Sequence, residues 1–348
     1  MKSYRFGSKQ LNIKLDLLTK MIDAAVSARN FSQADIKKEA NVSHSDAEEF
    51  VFAMDECRFT YLANNRSNRT KEQHDLHTFS DTLSILVIDI SMPQYSMSII
   101  RGHSGCQFHK TYSYNPYLSF YENLSSFFAR EGEKVIDQPF GIAAICVIYA
   151  DKRECNLSGF SKTSVHLPGQ SDLDKIDSII ATTFGALPIL HLKNSQAIKK
   201  AIQYRVSKGS LDNSSTTYIY IGVSISAVHF PRYGDPIICD ANNILVNDRE
   251  TVSDIIDKAI SSEGLGNILY RIINFTHCAY SAERYIIEYD SLKFDARSLK
   301  ELKRAFVLIG EALPEITTSS HIPGLAHFGA AVASEAECIG KYITSTQI

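Results

Sequence analysis

Ser43, His44 and Ser45 form a short polar run at the predicted start of a helix, and each side chain can donate and accept hydrogen bonds. Such side chains in the first turn of a helix can read base edges in the major groove of DNA. Basic side chains that could contact the phosphate backbone flank the run: Lys37, Lys38, Arg66, Arg69 and Lys71. The chemistry predicted for these residues is recognition of double-stranded DNA.

Two short helices joined by a tight turn are predicted to position this run, within residues 31–59. The first helix places Ala34, Ile36 and Ala40 inward, and Asn41 and Val42 form the turn. Ser43 is predicted to cap the second helix, with Asp46 as its partner three residues on. The second helix has one apolar face at helical spacing: Phe50, Val51, Met54 and Cys57. With a third helix over residues 15–28, the pattern predicts a helix-turn-helix.

The charge of this segment gives little support for tight DNA binding. Residues 1–72 contain twelve Lys and Arg against ten Asp and Glu, a small excess of +2. Asp46, Glu48 and Glu49 follow the polar run directly and would repel phosphates. Weak DNA binding, or binding only with a partner, is therefore an open alternative.

Residues 62–82 are polar and carry Arg66, Arg69 and Lys71 close together. This composition suits the tip of a winged hairpin followed by a linker, and a basic wing commonly meets phosphates or a minor groove. A solvated linker is the alternative interpretation.

The bulk composition excludes several other classes of protein. The chain has 348 residues, 44% of them hydrophobic, which allows two or three domains, and its net charge is −3. Its seven cysteines form no CxxC pair, which argues against a disulfide framework or a zinc knuckle. The N-terminus lacks a hydrophobic signal core and no apolar run approaches the length of a membrane span, so a soluble cytoplasmic protein is expected.

Catalytic and metal-binding motifs are weak. The histidine pairs His74/His77 and His103/His109 lack flanking carboxylates at metal-ligand spacing, so no metal is expected. No Gly-x-Ser-x-Gly elbow accompanies the serines, histidines and aspartates. Lys199 and Lys200 belong to a basic helix, which is interpreted as a solvated face or, alternatively, as contacting an anionic ligand or partner.

After residue 82 the sequence alternates between apolar runs typical of buried strands and stretches typical of helices. Strands are predicted over 83–90, 95–101, 105–114, 142–149, 188–192, 217–223, 227–231 and 284–289. Helices are predicted over 117–130, 172–184 and 196–206, and the chain after residue 235 is predicted to be mostly helical apart from the strand over 284–289. Because hairpins followed by strand–helix alternation occur twice, a duplicated α/β architecture is expected.

This order of elements resembles the ROK family, which contains bacterial sugar-responsive repressors and sugar kinases. Residues 35–59 resemble the family's DNA-binding module, and 217–236 its phosphate-loop hairpin. Residues 265–289 resemble the helix and strand after the family's zinc motif, and 327–331 (His-Phe-Gly-Ala-Ala) its C-terminal helix. The resemblance implies a winged helix-turn-helix followed by an actin-like, sugar-kinase-type pair of α/β lobes.

The catalytic position departs from the family pattern. ROK kinases use an acidic residue in a Glu-Asn-Asp-Ala-Asn type segment to remove a proton from a sugar hydroxyl. Residues 191–197 correspond to that segment, and Asn194 stands at the catalytic position. An amide cannot act as a general base. Asn194 could hydrogen-bond a ligand or, as an alternative, cap the following helix.

The phosphate-binding motifs depart as well. The family's Gly-Thr-Gly-x-Gly loop lets backbone N–H groups approach a phosphate. The matching residues, 222–228 (Gly-Val-Ser-Ile-Ser-Ala-Val), contain one glycine, so ATP binding is not expected. In the first-strand motif Asp89 is retained, but the glycine behind it is lost.

The zinc and sugar motif is the third departure. The family carries Gly-Glu-Ile-Gly-His followed by a cysteine-rich loop. At the matching positions Asp240 replaces the glutamate and Asn243 the histidine, and the cysteine loop is deleted. No structural zinc is expected, because zinc needs three or four converging ligands. Asn194, Asp240 and Asn243 would form a degenerate ligand pocket, and binding of a sugar is doubtful.

The sequence therefore predicts a non-catalytic ROK-type regulator without a cofactor, binding a palindromic DNA site as a dimer or tetramer. The predicted domains are a winged helix-turn-helix (1–72), a linker (73–82), a first lobe (83–192) and a second lobe (193–348). The C-terminal helix is expected to return to the first lobe. The alternative is an interaction protein that has kept the fold but modulates another regulator instead of binding DNA.

Overall fold

A computed structural model describes most of the chain. The described residues are 4–6, 9–11, 14–28, 30–56, 59–62, 76–79, 83–91, 94–101, 105–113, 115, 117–137, 141–149, 154–156, 164–166, 170–207, 215–221, 225–245, 249–252, 265–289, 296–308, 314–319 and 324–345.

The N-terminal part consists of three helices and short antiparallel strands. A hairpin comes first, β1 (Tyr4–Phe6) with β2 (Lys9–Leu11), followed by the helices α1 (Leu15–Ala28), α2 (Gln33–Ala40) and α3 (His44–Glu56). The strands β3 (Asn30–Ser32), β4 (Thr60–Leu62) and β5 (Leu76–Phe79) form a sheet in the order β3-β5-β4. Because β4 and β5 form an antiparallel pair after the two-helix motif, the module is a winged helix-turn-helix.

The core of this module is shared with the C-terminus of the chain. Phe31 and Phe50 are fully buried among apolar residues of all three helices. Val332 and Ile339, both from the last helix of the protein, belong to the same cluster. The winged module therefore does not complete its hydrophobic core without the C-terminal helix.

The second part of the chain contains a five-stranded mixed sheet in the order β12-β9-β6-β7-β8. Its elements in chain order are β6 (Ser84–Asp89), β7 (Gln94–Arg101), β8 (Gly105–Ser113), α4 (Phe120–Ile136), β9 (Ile142–Tyr149), the β10 (Glu154–Asn156) and β11 (Ser164–His166) hairpin, α5 (Gln170–Phe184) and β12 (Ile189–Lys193). The predicted strands are confirmed to within about a residue or two. Helix α4 begins three residues later than predicted, because Ser119 and Glu122 form a capping box there.

A second five-stranded sheet repeats the topology of the first, in the order β15-β14-β13-β16-β17. This part of the chain begins with α6 (Asn194–Ser207). The strands of the sheet are β13 (Thr216–Ile221), β14 (Ile225–Phe230), β15 (Ile237–Cys239), β16 (Arg284–Tyr289) and β17 (Glu315–Ser319). Helix α7 (Leu265–Tyr280) precedes β16, and helix α8 (Ala296–Leu308) precedes β17. In both sheets, two antiparallel neighbours lie on one side of the first strand and two parallel strands on the other. The expected duplication is confirmed, although β15 and β17 were not predicted.

The last helix, α9 (Leu325–Ser345), connects the parts of the molecule. It packs on α6, on β6 and β9 of the first sheet, and on α1 of the winged module. Its contact with α6 is very close: a Cβ at Gly329 would lie 1.7 Å from the Ala197 carbonyl oxygen. Only glycine permits this approach of the two helix backbones.

Candidate functional site

The turn between α2 and α3 is fixed by the backbone of Asn41. Asn41 adopts the left-handed conformation with φ of 51°, and the N–H groups of Asn41 and Val42 both donate to the Lys37 carbonyl oxygen. Asparagine tolerates this conformation better than most residues. The side chains of Lys37 and Lys38 are exposed on the last turn of α2, so the turn brings them near the start of α3.

Ser43 caps α3 as predicted. Its Oγ accepts a hydrogen bond from the Asp46 N–H at 3.1 Å and donates to Asp46 Oδ2 at 2.7 Å. The Ser43 hydroxyl therefore acts as both donor and acceptor in fixing the start of the helix. Ser43 has a structural role that is separate from any contact with a base.

His44 is held by the first residue of the preceding helix. The Gln33 amide nitrogen donates to the His44 carbonyl oxygen at 3.0 Å and lies 3.2 Å from the imidazole Nδ1. His44 and Ser45 are exposed at the N-terminal turn of α3. Of the predicted DNA-reading residues, these two present exposed side chains that the helix cap does not use.

The outward face of α3 continues with acidic and aromatic groups. Ser45, Glu48 and Phe52 lie at helical spacing and are all exposed, Phe52 to 49%. Asp46 and Glu49 are partly buried on either side of this stripe. Beyond its first turn, the described face of the helix is thus suited to a basic or apolar partner more than to phosphates.

The base of the wing is held to α3 by polar and ring contacts. Asp55 Oδ2 lies 2.8 Å from His77 Nδ1, and the Thr60 hydroxyl donates to the same carboxylate. The His77 ring stacks on Phe31 at 6.1 Å between centroids. The predicted wing residues Arg66, Arg69 and Lys71 lie outside the described residues.

Asp89 is at the centre of a buried polar network at the end of β6. It is 2% exposed, and its Oδ1 accepts from the Ser91 N–H at 2.8 Å and from the Ser91 hydroxyl at 2.6 Å. Its Oδ2 lies 3.3 Å from Nε2 of His327, in the first turn of α9. The Asp89 carboxylate is therefore occupied by protein groups on both oxygens.

The network continues from His327 into the neighbouring strands. His327 Nε2 lies 3.2 Å from Ser96 Oγ, and His327 Nδ1 lies 2.8 Å from Ser98 Oγ. Ser98 Oγ lies 2.8 Å from Nδ1 of His109 on β8. Burial lowers the pKa of His109 to about 4, assisted by the nearby His327 and opposed by Asp89.

This arrangement resembles a Ser-His-Asp chain, but it lacks access for a substrate. Ser98 is fully buried and Ser96 almost so, which leaves their hydroxyl groups out of reach of a substrate in solution. Sequence reasoning missed the network, although a polar histidine in the apolar His-Phe-Gly-Ala-Ala run was a signal for it. The geometry is that of a structural contact between α9 and the first sheet.

Asn194 is the first residue of α6 and is almost completely buried, at 2% exposure. It is not a helix cap: α6 is preceded by Lys193, whose N–H donates to Gln196 Oε1 at 3.0 Å. Asn194 Oδ1 has no hydrogen-bond partner among the described residues. The capping interpretation was wrong because the helix begins two residues before the predicted start at residue 196, at Asn194 itself.

Asp240 and Asn243 are bonded to each other. Asp240 precedes a short 3-10 helix, Ala241–Asn243, and Asn243 is its last residue. Asn243 Nδ2 donates to Asp240 Oδ2 at 2.6 Å. Both side chains are exposed, whereas Asn194 is buried. A degenerate ligand pocket formed by these three residues stays a prediction.

Metal ligands do not converge in the part of the chain that the structure covers. No group of three or more His, Cys, Asp or Glu residues is placed to hold an ion there. Five cysteines of the described residues are unpaired, and burial raises the pKa of Cys146 to about 12 and that of Cys239 to about 11. Thiols with such pKa values are inert as nucleophiles. Among the described helices, none is both long and apolar enough to cross a membrane.

The fold is that of a ROK family transcriptional regulator. The chain superimposes on the crystal structure of such a regulator, a homologue of the E. coli MLC protein, with a TM-score of 0.59 and 10% identity over 95% of this chain and 99% of the other. The expected combination of a winged helix-turn-helix with a sugar-kinase-type pair of lobes is thereby confirmed as a fold.

Sugar kinases with the ROK fold are similar to a smaller part of the chain. An inorganic polyphosphate/ATP-glucomannokinase from Arthrobacter sp. strain KM has a TM-score of 0.47 and 13% identity, over 73% of this chain and 99% of its own. A ROK family glucokinase from Streptomyces griseus has a TM-score of 0.46 and 12% identity, over 71% and 98%. Comparison with protein-family models and with curated proteins finds no match.

Proposed function

We propose that this protein is a transcriptional regulator of the ROK type without kinase activity. Its winged helix-turn-helix would bind double-stranded DNA, and a homo-oligomer would read a palindromic site with half-sites about one helical turn, or a multiple of it, apart. The observation that carries the proposal is the exposure of His44 and Ser45 in the first turn of α3, together with the exposure of Lys37 and Lys38 in the last turn of α2.

The contacts of the winged module support a regulatory role for the lobes. Val332 and Ile339 of α9 complete the core of the module, and α9 also packs on the first sheet and on α6. A shift of α9 relative to the lobes would therefore reposition α1 and the helices behind it. Such a mechanical connection is what a ligand- or partner-controlled DNA-binding module requires.

The chemistry of three positions supports the proposed loss of phosphoryl transfer. Asn194 offers an amide in place of a carboxylate, so it cannot remove a proton from a sugar hydroxyl. Asp89 is enclosed by Ser91 and His327. With one glycine in residues 222–228, the loop also lacks the small residues that let a backbone approach phosphate.

The test is genome-wide DNA occupancy of the tagged full-length protein beside the double variant His44→Ala/Ser45→Ala. This variant leaves Ser43 in place, because Ser43 caps α3 and its loss would weaken the helix itself. Discrete peaks that share a palindrome and vanish in the variant are the expected result. A control variant, Ser125→Ala on the exposed face of α4, should keep the peaks.

A salt titration separates base reading from phosphate binding. Lys37→Ala/Lys38→Ala should lower affinity about equally for all DNA sequences and reduce the slope of log affinity against log salt by about one to two. The matched pair Lys303→Ala/Arg304→Ala, exposed on α8, should leave the slope unchanged. Absence of salt-sensitive DNA binding by the unmodified protein would refute the proposal.

The second candidate is an interaction protein that has given up DNA. It is favoured by the outward stripe of α3, where Glu48 and Phe52 offer a carboxylate and an exposed aromatic ring. Glu48→Ala/Phe52→Ala would abolish capture of a partner if that surface binds protein. If DNA is the ligand, removing the Glu48 charge should instead strengthen binding to DNA, because a carboxylate repels phosphates.

A further inference from the structure

A cavity of about 440 Å³ lies between the winged module and the lobes. Its walls come from three separate stretches of the chain: α1, the consecutive elements β12 and α6, and α9. The volume falls within the range of about 300–1,000 Å³ that small-molecule sites occupy. The winged module and the lobes thus share one cavity that is open to solvent on one side.

The interior of the cavity is apolar. Ile22 from α1, Leu190 and Leu192 from β12, and Ala333 and Ala336 from α9 form its walls. Ile22 and Ala333 are buried, whereas Leu15 at the mouth is 48% exposed. Leu190 and Leu192 are partly exposed, so covering these two leucines and Leu15 with an apolar ligand would remove apolar surface from water and favour binding.

The mouth carries two pairs of opposite charges. Lys200 Nζ of α6 lies 3.5 Å from Asp23 Oδ1 of α1, and Lys341 Nζ of α9 lies 3.2 Å from Glu337 Oε1. All four side chains are partly exposed to solvent, so water and ligand groups can compete for them. The rim therefore presents two ammonium groups and two carboxylates around an apolar interior.

We propose that this cavity binds a small zwitterion with an apolar body, of the kind of an apolar amino acid. The apolar body would cover Ile22, Leu190 and Leu192. The ligand's carboxylate would take Lys200 or Lys341 as its counterion, and its ammonium group would take the carboxylate so displaced, Asp23 or Glu337. A ligand with a single charge would leave one rim group without a counterion, which makes the balanced ligand the better match.

Occupation of the cavity would couple to the winged module. The ligand would contact α1 on one side and α9, β12 and α6 on the other, and it would bind more tightly to the arrangement in which these walls are at the right separation. This consequence rests on the proposed function, whereas the binding itself does not.

The binding test uses three probes with the same phenyl body and different charges: L-phenylalanine, phenylpropionate and phenethylamine. Isothermal titration of the full-length protein without DNA should show binding of phenylalanine and weaker binding of the other two. Because DNA is absent, the result is independent of whether the protein binds DNA.

Gly340 offers a variant that fills the cavity. A Cβ built there meets no neighbouring element within 4 Å, and Gly340 lies four residues after Ala336 on the same face of α9. Gly340→Leu should therefore place its side chain in the cavity and weaken phenylalanine binding by about tenfold or more. Gly141→Leu is the matched control, because Gly141 also has open space beyond its Cβ but lies before β9, away from the cavity.

The outcomes are separable. Binding of phenylalanine that Gly340→Leu abolishes and Gly141→Leu preserves supports the site. Absence of binding for all three probes, tighter binding of a singly charged probe, or binding that Gly340→Leu leaves unchanged would each overturn the proposal. If phenylalanine binds at this site and DNA affinity does not respond, the ligand site stands and only its coupling to DNA fails.

Discussion

Nε2 of His327 lies 3.3 Å from Oδ2 of Asp89, and the two residues are 238 positions apart in the sequence. Both are almost completely buried, and each makes further hydrogen bonds to serines on β7 or next to β6. The contact joins the first turn of α9 to the end of β6. Since the C-terminal part of α9 enters the core of the winged module, the pair helps set where that module sits on the lobes.

The first prediction concerns the strength of this contact. His327→Ala leaves a buried carboxylate oxygen without its partner, so the free energy of unfolding should fall by about 1–3 kcal/mol. Urea denaturation of the wild type, His327→Ala, Asp89→Asn and the double variant measures the coupling between the two side chains. A coupling energy near zero would mean that the two residues do not stabilise each other.

The second prediction is a pH dependence from His109. Its pKa is about 4 in the folded protein, whereas the unfolded chain binds the proton near the ordinary value of 6.5. Between these two pH values the unfolded state binds more protons than the folded state. The contribution of neutral His109 to the free energy of unfolding is therefore fully present above pH 6.5 and is lost as the pH falls towards 4. The loss should be about 2 kcal/mol, with allowance for the partial exposure of the ring.

His109→Gln tests this assignment, because glutamine does not titrate. The free energy of unfolding of the variant should change less than that of the wild type between pH 6.5 and 4. Burial also lowers the pKa of His229, so His109→Gln/His229→Gln should flatten the profile further. An unaltered slope in His109→Gln would show that other groups cause the acid sensitivity.

The third prediction separates the two roles of Ser43. Ser43→Ala removes the N-cap of α3 and should lower the free energy of unfolding by about 1 kcal/mol. Ser45→Ala removes an exposed hydroxyl one residue into the helix and should change it by less than about 0.5 kcal/mol. Thermal and urea denaturation of the two variants compare these values directly. Equal losses would contradict the capping role, and any DNA-binding defect of Ser43→Ala must be corrected for the loss of the cap.

The fourth prediction is that restoring a carboxylate does not restore a kinase. Asn194→Asp places a carboxylate at a site that is 2% exposed and where Asn194 Oδ1 has no partner among the described residues. We expect a loss of about 1–3 kcal/mol in stability and no sugar-dependent ATP hydrolysis. Asn267→Asp, on the exposed face of α7, is the stability control. Sugar-dependent turnover in the wild type that Asn194→Ala abolishes would show instead that the site is catalytic.

Local sequence signals were sufficient for the elements with strong apolar patterns. Helix α1 and the strands β9 and β16 have the predicted bounds, because their buried faces dominate the local sequence. The cap formed by Ser43 and Asp46 was also predictable, since it depends on residues only three positions apart.

Elements whose stability comes from distant partners were not predicted. β15 and β17 are edge strands with several exposed residues, so they lack the apolar run that marks a central strand. The pairing of His327 with Asp89 and the cavity beside Gly340 depend on how α9 folds back over the chain, which short-range periodicity does not encode. The cavity and its charged rim therefore exist only in the three-dimensional arrangement and have no local signature in the sequence.

The fifth prediction concerns the contribution of α9 to the winged module. Ile339 is fully buried in the core formed by α1, α2 and α3, so Ile339→Ala creates a cavity there and should cost about 2–5 kcal/mol. Ile339→Ala should accelerate amide hydrogen exchange more in α1 and α3 than in β6 and β9, because the lost contacts lie on the side of the winged module. Ile180→Ala, in the separate core between the first sheet and α4 and α5, is the matched control and should affect those elements instead. Equal acceleration throughout the chain in Ile339→Ala would mean that the winged module and the lobes unfold as one unit, and that α9 does not hold the module independently of the lobes.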